Sequence, residues 1–515
     1  MTGATRTGRR GGGSQARRAD ATTAVEQPPF TQPRMRFEPL RAVSDDELEA
    51  IHLASLRVLA ETGIDFLDDT ACRQLVEAGA EVDGQRVRFD PDLVVDLVST
   101  APSQFTIHGI DSGRDLTLGG DWITYTSVAS PPFVTGLGGD RRNGNREDYR
   151  NLIKMGQVLN AVHTVAGYPV EPMDLHPSVR HLHATHDMLT LSDKFPFVYS
   201  LSRQRNQDAI EMVRIARGVD EATINDETSI FSVINASTPL RYDTVMLHGI
   251  QEMSAANQLI VITPFTLAGA MAPVTVAGAL VLQNAEALAG IAYTQVVRPG
   301  APVSYGGFTS NVDMRSGSPA FGTPEYWKAC LVGGQLARRY DVPYRSSNVN
   351  ASNSVDAQSA YESVIAIWGA VMGGVNLLLH GAGWLEGGLL ASYEKMVIDA
   401  DLLNMVTEML RPITVDDAAL AVEAIAEVGP AGHFFGTSHT QERYATEHFQ
   451  PMVSSWTNFE NWDDSGRLEA HDRAEKLAHL ILAAHEEPPM PDDRRTQLDE
   501  FVERRVAEGG VETDY

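Results

Sequence analysis

The sequence predicts an α/β protein built on a TIM (β/α)8 barrel, with an N-terminal α+β extension and a disordered N-terminal tail. Three observations predict it. From about residue 144 to 510, short apolar runs alternate with longer helical stretches. Seven such repeats follow one another at roughly even spacing, as strands joined by crossover helices do, and at that number a closed barrel is the natural solution. Nucleotide-binding signatures are missing: no G-x-G-x-x-G follows an early strand, and no G-x-x-x-x-G-K-[ST] occurs. A doubly wound open sheet is the second choice.

Along the chain, residues 1–36 hold seven arginines against Asp20 and Glu26, a net of +5 that leaves −32 for the remainder. Rich in Gly, Ser, Thr and Pro and without an apolar run, they read as a disordered basic tail. Arg9-Arg10 has the look of a twin-arginine signal, but Gly11-Gly12-Gly13-Ser14 stands where an apolar segment is required. Residues 37–143 read as an α+β region packed on the barrel. Ser44 is its first helix cap, with Glu47 at the capping-box position and a periodic apolar face running to Gly63. This region also includes the β-rich run Trp122–Thr126. Residues 144–510 form the barrel. Its expected strands are Thr164–Val170, Phe195–Leu201, Ser229–Ile234, Leu259–Phe265, Pro302–Gly306, Val342–Arg345 and Val375–Leu379. Asn206–Arg217, Ala277–Val296, Pro324–Arg339 and Ala357–Val371 are expected helices between them.

Composition limits the function. With 515 residues, 43% apolar and 21% charged, the chain is an ordinary globular protein. Its charge of −27 argues against nucleic-acid binding. No run approaches the ~18 consecutive apolar residues of a membrane span. Cys72 and Cys330 are the only cysteines, too few for a disulfide framework or a thiolate metal cluster, and a reducing cytoplasm fits.

Barrel chemistry sits at the carboxyl ends of the strands. Just past the expected strands lie Glu171, Ser202, Asn235, Thr266, Gly307 with Phe308, Ser346 onward, and His380. The set is short of acid/base pairs and rich in small, amide and aromatic groups, which suits recognition by shape. Tyr305–Glu325, Asp356–Glu362 and His380–Gly388 crowd glycines and small polar residues where apolar runs stop, as walls of a shared pocket would. Competing signals are weaker. His181-x-His183 with His186 has the spacing of a metal-dependent hydrolase, but it falls in a helical stretch where positions two apart do not share a face. Asp174-Leu175-His176 begins a corrinoid-binding D-x-H-x-x-G signature, but Val179 stands where the glycine belongs. His433 and His439 are open between a site role and packing.

Long phrases in a fixed order carry a family resemblance from Glu38 to Val506. They are Pro273–Leu280 with Asn284-Ala285-Glu286, then Tyr305–Glu325, Asp356–Glu362, His380–Gly388 and Gly432–Thr440. By them the chain resembles the corrinoid-dependent trimethylamine methyltransferase family. The resemblance implies a TIM barrel that passes a methyl group from a methylated amine to the Co(I) of a separate corrinoid protein. It implies no tightly bound cofactor, cobalamin being supplied by that partner, and no metal. Trimethylamine-specific members carry pyrrolysine in the loop before the D-x-Q phrase. Counting back from Asp356 and Gln358, that slot falls at Val349, which has no imine chemistry. The resemblance therefore points to the non-pyrrolysine branch, similar to glycine betaine methyltransferases.

On this reading no residue acts as a general acid or base. Tyr305, Phe308, Tyr344 and Trp384 are candidates for holding a quaternary ammonium by aromatic faces. Arg345, Asn350 and His380 are candidates for a betaine carboxylate, His380 foremost, with Glu386 to orient it or cap the next helix. For each aromatic taken singly, core packing is the plain alternative. A homo-oligomer is expected, without membrane or nucleic-acid partners. A non-catalytic betaine-binding paralogue is the alternative function, and a metal-dependent barrel hydrolase a more distant one. The corrinoid reading predicts that the purified protein carries neither cobalamin nor stoichiometric metal. Absorption spectra and elemental analysis check this, and a corrinoid band after expression in a cobalamin-supplied host would contradict it.

Overall fold

The computed structural model describes residues 25–165, 167–200 and 202–512. Eight parallel strands form one sheet: β1 Thr124–Ser127, β2 Thr164–Val165, β3 Phe195–Pro196, β4 Phe231–Ile234, β5 Leu259–Ile262, β6 Val303–Gly306, β7 Tyr344–Ser347 and β8 Leu377–Ala382. Each pairs with its neighbour in chain order, β8 returns to β1, and a parallel bridge between Phe197 and Phe231 joins β3 to β4. The circle is a TIM barrel. A helix follows each strand: α1 Arg146–Val158, α2 Pro177–Leu191, α3 Arg203–Arg217, α4 Thr244–Ala255, α5 Val276–Val297, α6 Pro324–Arg339, α7 Ala357–Met372 and α8 Tyr393–Met409. Among the described residues α5 alone is long and apolar enough to cross a membrane, and its apolar window is 78% buried inside the protein.

The eighth strand is where the sequence reading needs correcting. The run at Trp122–Thr126 was expected in the N-terminal region, but Thr124–Ser127 is the first barrel strand. All four of its residues are buried, pairing with β8 on one side and β2 on the other. It belongs to the barrel because β8 would otherwise present an unpaired edge. The strands are also shorter than expected: β3 stops at Pro196 and β5 at Ile262, so Phe197 and Tyr199 lie in a loop above the barrel and Phe265 in a small sheet there. Ala166 and Leu201, inside two of the expected strands, lie outside the described residues.

The N-terminal helix Asp45–Arg57 starts as predicted, with the Ser44–Glu47 capping box formed. Gly63 then turns the chain at φ 74°, where an added Cβ would stand 2.6 Å from the Val87 carbonyl oxygen. The tail expected over residues 1–36 is partly outside the described residues (1–24). Residues 25–36 are ordered across the bottom of the barrel. Gln32 donates to the Thr117 carbonyl at 2.7 Å, Ile123 N donates to the Pro33 carbonyl at 2.9 Å, and Arg34 pairs with Asp121. Phe30 packs edge-on to His163 and lies under the Arg114 guanidinium. Composition averaged over 36 residues hid this, because these anchoring side chains fall in the last dozen.

Lys194 closes the same end. Its buried ammonium donates to three carbonyls, those of Gly156, Leu159 and Val162. Next to it, His163 accepts from Tyr125 N and faces the Thr31 carbonyl. Burial, and secondarily Lys194, pulls the His163 imidazole down to about 3 from an ordinary 6.5. The unfolded chain takes up this proton below pH 6.5 and the folded one does not. Stability is therefore lost as pH falls from 6.5 towards 3, by roughly 1 kcal/mol per pH unit from this group. Urea unfolding at pH 7 and pH 5 should show the loss, and His163→Gln should reduce it; an unchanged pH dependence in the variant would contradict the assignment.

Candidate active site

Seven of the eight strands send residues into a cavity of about 420 Å3 at their carboxyl ends. Its largest side chains are aromatic: Phe197 and Tyr199 beyond β3, Phe265 beyond β5, Phe308 beyond β6 and Trp384 beyond β8. Two small sheets over the mouth hold these rings. Phe265 pairs in parallel register with Phe308, their rings 5.0 Å apart. Trp384 lies in a hairpin with Ala391, which is joined in turn to Val134. Asn235, Thr263, Ser130 and Ser200 supply the neutral polar patches. Among the described residues, Arg345 is the only charged one in the wall, and none there is a carboxylate.

Arg345 is 2% exposed. Its Nε and Nη1 are buried without a hydrogen-bond partner. The guanidinium carbon lies 5.0 Å from the centre of the Phe308 ring. Burial pulls its pKa down to about 10, partly countered by Tyr326 and Tyr344, so it stays charged at neutral pH. His380 stacks on Trp384 with ring centres 5.5 Å apart and planes inclined by 19°. Burial, then Arg345, holds its pKa well below the usual range, so the imidazole is neutral. Its Nδ1 is also buried and unpartnered. Its backbone is left-handed at φ 55°, in an irregular stretch of β8 between Leu378 and Ala382, and its N–H donates to Thr126 Oγ1 at 3.1 Å. A non-glycine residue there is strained by about 1–2 kcal/mol, and such strain collects at functional sites.

Of the eight residues singled out in the sequence, the structure brings Arg345, His380, Phe308 and Trp384 together in this cavity. Tyr305 and Tyr344 are not in it. They pair with each other across β6 and β7 and point outward: Tyr305 donates to Asn284 at 3.0 Å and Tyr344 to the Cys330 carbonyl at 2.9 Å. The cause is the two-residue period of a strand, which turns Tyr344 to the helices and Arg345 to the interior. Asn350 is buried beside the cavity and donates to Ser363 at 3.1 Å. Glu386 neither orients His380 nor caps a helix by its side chain: its carboxylate pairs with Arg141 on the rim. Val349, at the pyrrolysine slot, is fully buried. His181 and His186 bond to different carboxylates, Asp208 and Asp499, on different elements.

Phe197, Tyr199 and Phe265 were missed. A signal for the first two was present: Phe195, Phe197 and Tyr199 alternate with other residues and so face one way. Also missed was the support behind the wall. Lys395 and Asp399 form a buried ion pair on α8. Asp399 accepts from Gly383 N at 2.9 Å, and Lys395 donates to Ser363, the same hydroxyl that Asn350 reaches. Asn348 donates to the Gly381 carbonyl at 3.0 Å. These bonds grip the chain between His380 and Trp384.

The site is a cavity at the mouth of a (β/α)8 barrel, lined by five aromatic rings and, among the described residues, by one guanidinium and no carboxylate. Residues 9–510 match the trimethylamine methyltransferase (MTTB) family. The chain belongs to that family and is a methyltransferase. It is 34% identical over 471 residues to the glycine betaine methyltransferase of Desulfitobacterium hafniense strain Y51, spanning 91% of this chain and 98% of that one. Trimethylamine methyltransferase MttB of D. hafniense strain DSM 10664 / DCB-2 is 29% identical, over 92% of this chain and 95% of its own. Proline betaine:corrinoid methyltransferase of Eubacterium limosum is 26% identical, over 89% and 95%. Among solved structures, the hydroxylamine MtmB complex overlays with a TM-score of 0.50 at 10% identity, covering 92% of this chain and 90% of that one, a likeness of fold alone.

Breaking the buried pair should be costly. Lys395→Met leaves Asp399 charged and unpaired, and chemical denaturation should show a loss of about 3–5 kcal/mol. Adding Asp399→Asn should recover part of it; no recovery would show that the two residues act independently.

Proposed function

We propose that the enzyme moves a methyl group from a quaternary amine, a betaine such as glycine betaine, to the Co(I) of a corrinoid carried by a separate protein. The observation that carries this reading is the unpartnered Arg345 in a wall that holds no carboxylate. A simple methylammonium cation would bring a second positive charge to a pocket that already has one. A betaine brings a carboxylate that can accept a charged hydrogen bond from an unpartnered Arg345 nitrogen, Nε or Nη1. Its ammonium end then lies away from Arg345, against the faces of Phe197, Tyr199 and Phe265. The names of the relatives, two of which act on betaines, support the same reading.

The chemistry asks little of the chain. The corrinoid supplies the nucleophile, and the amine that leaves is neutral, so no proton has to be delivered. The residues bind, orient and exclude water. Arg345 fixes one end of the substrate. Neutral His380 has one N–H to add to the carboxylate. The aromatic wall favours the cation without trapping it, which matters because the charge leaves nitrogen during transfer. Tyr199, Phe265, Phe308 and His380 are partly exposed at the mouth, so a methyl group held there is reachable from outside. The open mouth fits a corrinoid that stays on its own protein.

Arg345→Met should weaken glycine betaine binding by one to two powers of ten, since a charged hydrogen bond is worth about 1.5–3 kcal/mol. Tetramethylammonium, which has no carboxylate, should bind the variant as well as or better than the parent. His380→Ala should cost betaine binding only several-fold, as a neutral donor does. Calorimetric titration, with methyl transfer to reduced cobalamin followed optically, makes the comparison. Equal losses for the two compounds would refute the carboxylate role of Arg345.

A further inference from the structure

Thr266 and Thr309 stand behind the cavity wall. They follow Phe265 and Phe308 in the two paired strands over the mouth, Phe265–Ala268 and Phe308–Val312. Neighbouring residues on a strand face opposite ways, so the rings face the cavity and the hydroxyls face α5. The two hydroxyls bond to each other, and Thr309 Oγ1 donates to Gln283 Oε1 of α5 at 2.5 Å. The bonds continue outside the barrel. Gln283 Nε2 donates to the Tyr305 hydroxyl at 3.1 Å, Tyr305 to Asn284 Oδ1 at 3.0 Å, and Asn284 Nδ2 to the Tyr340 hydroxyl at 2.9 Å. Tyr340 then meets His52 Nδ1 at 2.8 Å, on the N-terminal helix Asp45–Arg57. All of these side chains except Tyr340 are buried.

We propose that Gln283 is a positioning residue for methyl transfer: through Thr309 and Thr266 it sets where the Phe265 and Phe308 rings stand against the ammonium group. This rests on the function proposed above, in which the aromatic wall holds the cation. The two strands are short, 4 and 5 residues, and lie outside the eight-stranded sheet. Pieces of that length are marginal on their own. Their rings pack on each other at 5.0 Å and on Phe321 at 6.3 and 5.8 Å. Such apolar contact is non-directional, so it lets the cluster slide as a unit. The bond to Gln283 is directional and ties the pair to the barrel.

Packing alone does not call for these groups. Burying a polar side chain costs stability unless it is bonded, and an apolar layer between strands and helix would cost nothing of the kind. Here each member of the chain of bonds has a partner, and a satisfied polar network specifies one geometry. A binding group has to be held to within about 0.5 Å. Phe308 also lies 5.0 Å from the Arg345 guanidinium and 6.2 Å from the His380 ring. The same anchor therefore fixes how the cation face stands to the carboxylate end. Tyr305, outside the cavity, acts as the link between Gln283 and Asn284.

Calorimetric titration of the full chain with tetramethylammonium and with glycine betaine tests this. Thr309→Val keeps the shape of the side chain and removes the hydroxyl; Thr309→Ser keeps the hydroxyl and removes the methyl. Thr309→Val and Gln283→Met should each weaken both compounds by about five- to thirtyfold, the scale of a displaced cation–π contact. Thr309→Ser should stay within about twofold of the parent, since it keeps the bond. A packing role would give the reverse order, with Thr309→Ser the worse. Arg345→Met, by contrast, spares tetramethylammonium, which separates the two roles. A crystal structure of Thr309→Val should show the Phe265 and Phe308 rings displaced, and it decides should Gln283→Met fail to fold. Unmoved rings, undiminished binding by Thr309→Val, or Thr309→Ser weaker than Thr309→Val would overturn this proposal and leave the betaine reading in place. A parent protein that binds neither compound would overturn both.

Discussion

A guanidinium sits inside the barrel with two of its nitrogens facing no acceptor among the described residues. An unpaired buried charge costs several kcal/mol, and burial has moved the Arg345 pKa only to about 10, not far enough to discharge it. The fold therefore carries a cost that its own residues do not offset. Phe308 lies against the group at 5.0 Å, and the rest of the wall is aromatic or neutral. The betaine of the proposed function, with a carboxylate at one end and a quaternary ammonium at the other, would offset the cost and fill the aromatic space. Each feature of the pocket takes its meaning from that one unpaired cation.

The barrel delivers Arg345 to the interior through strand alternation, and the neighbouring strand delivers His380 by breaking it. The irregularity in β8 and the left-handed φ of 55° turn the imidazole onto Trp384. That conformation is strained, and it is held by Thr126 at the His380 N–H and by Asn348 and Asp399 at the Gly381 and Gly383 backbone that follows. The buried Lys395–Asp399 pair is thus part of how the pocket keeps its shape, although neither residue lines it. At the opposite end Lys194, His163 and residues 25–36 seal the barrel floor, far from the chemistry.

Much of this was legible in the sequence. Seven strands and the helix starts follow from apolar period and capping residues, and the long phrases around residues 305–325 and 380–388 mark the pocket and the family. The eighth strand was hidden because Thr124–Ser127 is separated from the next strand by an ordinary helix and preceded by small sheets, so it read as part of the extension. Arg345 and Tyr344 could not be told apart as site and core without register, since one step along a strand exchanges inside for outside. Phe197 and Tyr199 were readable from their alternation; Phe265 was not, because its place is set by a small sheet paired over the mouth. The Lys395–Asp399 pair left no sequence signal beyond an ordinary i, i+4 spacing of opposite charges, which on most helices lies in solvent.

The central claim is that Arg345 selects a zwitterion and sets its direction in the pocket. A crystal structure of the protein with glycine betaine tests it most directly. The account predicts the carboxylate within hydrogen-bond distance of the Arg345 guanidinium, at Nε or Nη1, with the trimethylammonium group against Phe197, Tyr199 and Phe265. A trimethylammonium group packed beside Arg345, with the carboxylate turned to solvent, would contradict it.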